Sequence, residues 1–146
     1  MEDIIIAGYA RTPVGSFQGD LAEISAPELG GIAIKRAMLE ARIDSNEVEE
    51  LIMGCVLQAG IGQAPARQAG FNSGLSKRVP AVTVNKMCGS GLKTIITASD
   101  QIRAGTNSII VAGGMESMTN APYLSSTNRG GARLGHSKIY DHMFLD

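Results

Sequence analysis

Four short apolar runs, separated by stretches of a different period, limit most strongly what this chain can fold into. They are Ile4–Tyr9, Leu51–Val56, Ala81–Val84 and Ser108–Ala112. Each is too short for a stable helix, and most are apolar on successive residues rather than alternate ones. Such runs read as strands covered on both faces, as in a parallel sheet. The segments between them have helical spacing. Ser25-Ala26-Pro27-Glu28 fits a capping box, in which hydroxyl and carboxylate satisfy each other's backbone N–H. The helix it opens carries Leu29, Ile32, Ala33, Ala37 and Ala41 on one stripe, widened by Ile34, Met38 and Leu39. Gln63–Ala69 predicts a short helix with an early proline, Pro65, and an end bracketed by Gly70 and Gly74. A third helix is predicted from about Ser90 to Arg103, with Leu92, Ile95, Ile96, Ser99 and Ile102 at helical spacing and Gly105 as its stop. The order βαβαβαβ implies an α/β fold: a mainly parallel sheet with right-handed crossovers, covered by helices.

After Met118 the pattern changes. Thr119–Asp146 is polar, rich in glycine and without a long period. The expected organisation is an α/β core over 1–118 and the beginning of an inserted subdomain over 119–146. Because the pattern stops directly after Met143-Phe144-Leu145, the chain is expected to be part of a longer protein.

The 44% hydrophobic and 18% charged content, with a net charge of −1, is that of a soluble globular protein. No basic patch or run of like charge argues for nucleic acid or a membrane surface as a partner. No apolar run approaches the roughly 20 residues of a membrane span. Acidic Glu2-Asp3 ahead of the first apolar run is the wrong charge for a secretory signal. Two cysteines without such a signal point to a reducing compartment, so a cytoplasmic location is expected and a disulfide framework is not.

Chemistry concentrates at Val84-Asn85-Lys86-Met87-Cys88-Gly89-Ser90-Gly91. Here a cysteine falls on a strand-to-helix turn, with three small residues after it. A thiol is nucleophilic as its thiolate, and a helix N-terminus favours that form. Glycines at 89 and 91 let backbone amides approach a bound group and hold a developing oxyanion. The plainer alternative is one more small residue in a tight turn. Lys86 and Lys93 either add positive potential or simply face water. Cys55, inside the second apolar run, reads as an ordinary buried cysteine. His136 and His142 fall in the irregular tail, where packing roles are commoner than catalytic ones. There is no C-x-x-C, no zinc-ligand spacing, no G-x-S-x-G elbow, no G-x-G-x-x-G and no P-loop. No metal site and no cofactor-binding residue is assignable.

Four motifs in order carry a family resemblance: Ala10-Arg11-Thr12-Pro13-Val14-Gly15, Gly62-Gln63-Ala64-Pro65-Ala66-Arg67-Gln68, the Cys88 segment, and Ala112-Gly113-Gly114-Met115-Glu116-Ser117-Met118. Together they resemble thiolases, most closely the bacterial acetyl-CoA acetyltransferases of the biosynthetic, acetoacetyl-CoA-forming type. The match runs through essentially the whole chain. Two of the motifs, at 62–68 and 112–118, favour thiolases over ketoacyl synthases.

The resemblance implies the first half of a thiolase fold, with a loop domain starting near Thr119. It implies Claisen condensation of two acetyl-CoA to acetoacetyl-CoA and CoA, and the reverse thiolysis, through an acyl-cysteine intermediate. Cys88 then matches the nucleophile, with its backbone N–H one oxyanion donor. Acyl-CoA thioesters are substrates, and no separate cofactor is implied. Implied partners are a C-terminal thiolase half or another chain, in a homo-oligomer (dimer or tetramer). The family's Asn-Glu-Ala-Phe, Gly-His-Pro and Cys-x-Gly-Gly-Gly segments, which supply the activating histidine and the acid/base cysteine, are not in residues 1–146. The chain alone is therefore expected not to turn over. The alternative is a truncated, inactive assembly partner. An apolar face that the other half would cover is expected to drive association.

Overall fold

The computed structural model describes residues 3–145. Three helices and a three-stranded sheet form the core: α1 (Ala26–Ala41), β1 (Glu50–Gly54), α2 (Pro65–Ser73), β2 (Ala81–Val84), α3 (Ser90–Arg103) and β3 (Ile110–Gly114). All three strands are parallel, in the order β2-β1-β3, and Ile52 of β1 stands between Val82 and Ala112. The central strand is buried on both faces, as its unbroken apolar run requires. Leu51 and Met53 pack with Ile34 and Met38 of α1 and Ala66 and Ala69 of α2. Ile52 alternates to the opposite face, where α3 lies. This is the α/β architecture with a parallel sheet that the sequence implies.

Helix α1 starts where the capping box predicts. The Ser25 hydroxyl accepts from the Glu28 N–H at 3.4 Å, and a Glu28 carboxylate oxygen accepts from the Ser25 N–H at 2.9 Å and the Ser25 hydroxyl at 2.6 Å. Helix α2 has Pro65 in its first turn and ends at Gly74, in the left-handed region at φ 85°. Gly70 lies inside this helix, buried, rather than at its end.

Several expectations need correction. Ile4–Tyr9 joins no sheet. Ile5, Ile6 and Tyr9 are 78%, 79% and 84% exposed, and the segment reaches α1 through Gly8, where a Cβ would come within 2.4 Å of the Ala37 carbonyl oxygen. An apolar β-branched run becomes a strand only against an edge that pairs with it, and this close passage over α1 takes it to a helix instead. The βαβαβαβ order is thus realised from its first helix onward. The last core strand is shifted by two residues from its apolar stretch, beginning at Ile110 rather than Ser108 and running on through Gly113 and Gly114, and β1 stops at Gly54, one residue before Cys55.

The helical stripes also face differently from the spacing alone. On α1, Ile34 and Met38 are buried while Ile32 and Leu39 are mostly exposed. On α3, Leu92, Ile95 and Ile96 are 65%, 47% and 46% exposed, and Ser90, Thr94 and Ala98 are the buried residues. The reason is the closeness of α3 to the sheet. A Cβ on Gly114 would stand 3.1 Å from the Gly91 Cα, so only small side chains fit between helix and strands. The Thr94 hydroxyl donates to the carbonyls of Gly91 (2.7 Å) and Gly113 (2.9 Å), which lets a polar residue be fully buried there.

Beyond Met115 the chain is irregular. The pair β4 (Tyr123–Leu124) and β5 (Tyr140–Asp141) is antiparallel, with short 3-10 turns at Asn128–Gly130 and His142–Phe144. Asn120 ties this region to the segment before α1 by donating to the carbonyls of Ala22 (3.0 Å) and Ile24 (3.2 Å).

Candidate active site

Parallel strands bring their carboxyl ends to one side of the sheet, and ligands of open α/β sheets sit there. The turn carrying Cys88 is on that side. It spans Asn85–Gly89, between the end of β2 and the start of α3. Met87 is in the left-handed region at φ 47°, unusual for a residue with a side chain. Its N–H donates to the Asn85 side-chain oxygen at 3.0 Å. The Gly89 N–H donates to the Lys86 carbonyl (3.1 Å) and the Ser90 N–H to the Met87 carbonyl (3.0 Å). The Ser90 hydroxyl accepts from the Lys86 N–H (2.8 Å) and donates to the Met87 carbonyl (2.6 Å). The tight turn leaves Cys88 exposed.

A groove of about 510 Å³ opens beside this cysteine. Its floor is made by Gly54, Ser90, Gly91 and Gly114, where β1, β3 and α3 converge, and its walls include Leu57, Met115, Met118 and Met143. The walls are therefore mainly apolar and, through the methionines, adaptable in shape. One acid, Glu116, lies in the lining. Its carboxylate accepts from the Val56 and Leu57 N–H groups, each at 3.0 Å, and the Cys55 thiol lies 3.6 Å from it. Glu116 thus holds the loop that leaves β1 and forms part of the groove. Spacing did not single it out. The only local signal is an acid two residues past a strand end, where unpaired N–H groups gather.

The other candidates separate from the thiol. Cys55 is buried, just past the end of β1, as an ordinary packed cysteine would be. His142 has its Nε2 3.4 Å from the Ala59 N–H and its own N–H on the Pro122 carbonyl, a packing role in the tail. His136 is exposed in the irregular region, Lys86 is exposed and Lys93 is half-buried. The Gly89 amide, a candidate oxyanion donor by sequence, is already used within the turn. Among the described residues no three His, Cys, Asp or Glu side chains come together as a metal-ligand set, and no helix is long and apolar enough to cross a membrane.

Fold and site together define an α/β domain that offers a cysteine thiol at the carboxyl edge of a parallel sheet. The family described as thiolase, N-terminal domain, matches residues 4–146, and the chain belongs to that family. It is 52% identical over 147 residues to an acetyl-CoA acetyltransferase of Escherichia coli K12 and 50% identical over 146 residues to one of Pseudomonas aeruginosa. It is 48% identical over 146 residues to a mitochondrial acetyl-CoA acetyltransferase of Xenopus tropicalis. Each comparison covers 100% of this chain, but only 37%, 37% and 34% of those three relatives. The chain thus spans little more than a third of their length.

Proposed function

We propose that this chain supplies the nucleophile of a thiolase-type acyltransferase, with Cys88 as the residue that is acylated. The observation that carries this reading is the exposed Cys88 thiol on the β2–α3 turn, facing an apolar groove at the strand ends, in a chain of this family. The Cys88 sulfur attacks the carbonyl carbon of an acyl-CoA thioester. A new carbon–sulfur bond forms, the bond to the CoA sulfur breaks, and the thiol proton ends on the departing CoA. The backbone N–H of Cys88, just ahead of α3, is the donor we assign to the developing oxyanion.

For the complete reaction we propose condensation of two acetyl-CoA to acetoacetyl-CoA and CoA, and its reverse. The acetyl-CoA acetyltransferases it is similar to support the substrate class. Among the described residues no histidine lines the groove at Cys88, so the groups that deprotonate the thiol and handle the second substrate's α-proton are assigned to sequence equivalent to the remaining length of the relatives. We further assign residues 119–146 to the beginning of an inserted loop domain, the working form to a homo-oligomer, and the compartment to the cytoplasm. The first is supported by the irregular structure after Met115, the second by the family, and the third by the similarity to bacterial acetyl-CoA acetyltransferases.

The test is intact-mass analysis after incubation with acetyl-CoA. Wild type is expected to gain one acetyl group and Cys88→Ala none. An adduct that survives in Cys88→Ala would overturn the assignment.

A further inference from the structure

Ser90 is the first residue of α3 and part of the groove floor. Its side chain does more than start a helix. The hydroxyl is buried and bonded in both senses, accepting from the Lys86 N–H at 2.8 Å and donating to the Met87 carbonyl at 2.6 Å. These two bonds bracket Met87, whose φ of 47° places it in a region that side chains disfavour. Such a conformation persists only where surrounding contacts over-determine it. Ser90 can act as a fixed post because its own backbone is held from beneath. A Cβ on Gly54 would come within 2.7 Å of the Ser90 Cβ and of its carbonyl carbon, so strand and helix are in direct contact at this point.

We propose that Ser90 is a positioning residue for the nucleophile: its hydroxyl clamps Lys86 to Met87 and keeps the left-handed kink that presents Cys88 to the groove. The proposal rests on Cys88 being the acylated residue. It makes a specific distinction between two reactions of the same thiol. Acyl transfer from a thioester needs the sulfur and an oxyanion donor placed together around one carbonyl. Alkylation by iodoacetamide needs only an accessible sulfur, which displaces iodide and releases its proton to water. Loss of the clamp therefore harms the first reaction and spares the second.

The experiment follows both reactions at Cys88 by peptide-resolved mass spectrometry, with acetyl-CoA and with iodoacetamide. The variants are Ser90→Ala, Met87→Gly and the double variant. Ser90→Ala is expected to slow acetylation by about tenfold or more, since misplacement of about 1 Å costs up to roughly 100-fold, while alkylation changes by less than about twofold. Glycine adopts the left-handed region freely, so the double variant is expected to recover most of the lost rate. Should Ser90→Ala alone not fold, Met87→Gly against the double variant carries the test, with less than about threefold between them expected. Acetylation of Ser90→Ala at the wild-type rate would overturn the clamp. So would equal slowing of both reactions, or a loss that Met87→Gly does not relieve. If wild type alkylates at Cys88 but never acetylates there, the functional reading itself falls, and the clamp with it.

Discussion

Gly54, the last residue of β1, lies directly under Ser90, the first residue of α3. A Cβ at Gly54 would stand 2.7 Å from the Ser90 Cβ and 2.8 Å from the Gly91 backbone nitrogen. The obstructing atoms are mostly backbone, so they cannot swing aside as a long side chain would. Gly54→Ala is expected to push the start of α3 off the sheet and destabilise the chain by about 1–3 kcal/mol, the usual cost of overpacking. Denaturant unfolding measures it. A midpoint equal to wild type would show that helix and strand are not in contact there.

Glu116 fixes the loop after β1 through the Val56 and Leu57 N–H groups. In Glu116→Gln one of the two acceptor oxygens becomes an NH₂ facing a donor. The expected loss is about 1–2 kcal/mol, toward the lower end for bonds to a charged acceptor because the residue is exposed. Hydrogen exchange at the Val56 and Leu57 amides should speed up before that of β1 itself. Unchanged protection at those two amides would remove the carboxylate from this role.

The buried face of α3 makes a prediction opposite to the one its apolar spacing makes. Ala98 is buried against the sheet and Ile96 is nearly half exposed. Ala98→Leu is expected to cost about 1–3 kcal/mol, whereas Ile96→Ser should cost about 1 kcal/mol or less. Thermal melts of the two variants compare them directly, and the reverse order would place the wrong face on the sheet.

Local signals in the sequence were sufficient for α1 and α3. Ser25 and Glu28 marked the start of α1 and the Ser90–Arg103 span matches α3, whereas α2 runs over Pro65–Ser73 rather than the expected Gln63–Ala69. The parallel sheet followed from short apolar runs separated by helices. What was not legible depends on distant partners. Ile4–Tyr9 has the composition of a strand, but pairing is decided by which edge it meets. Leu92, Ile95 and Ile96 have the spacing of a core face, but Gly54, Gly91 and Gly114 bring the helix too close for them. At the candidate site, Cys88 on its turn was readable from spacing. The roles of Glu116 and of the Ser90 hydroxyl were not, since each depends on backbone groups brought near by the fold.

The Glu28 carboxyl is held below the usual carboxylate range, first by the Ser25 hydroxyl and then by the Ser25 backbone N–H. Asp44 is lowered in the same direction by the backbone and side chain of Asn46. A carboxyl whose folded value lies below its unfolded one stabilises the fold fully above the unfolded value, about 4.3 for glutamate. That stabilisation is lost as the pH falls through the folded value. Ser25→Ala is expected to move the Glu28 midpoint up toward the ordinary range in an NMR titration, and to loosen the first turn of α1. A midpoint that does not move would mean that the capping box does not hold the carboxylate.

The chain contains two cysteines in contrasting settings, and this allows an internal control. Cys55 is buried behind β1 and Cys88 is exposed at the groove. The most direct measurement is to incubate the chain with acetyl-CoA, quench, digest and locate the acetyl group by peptide mass spectrometry. The expected result is a thioester on Cys88, removed by hydroxylamine, with Cys55 unmodified. An acetyl group on Cys55, or none on Cys88 while iodoacetamide still labels it, would contradict the assignment of Cys88 as the acyl-accepting nucleophile.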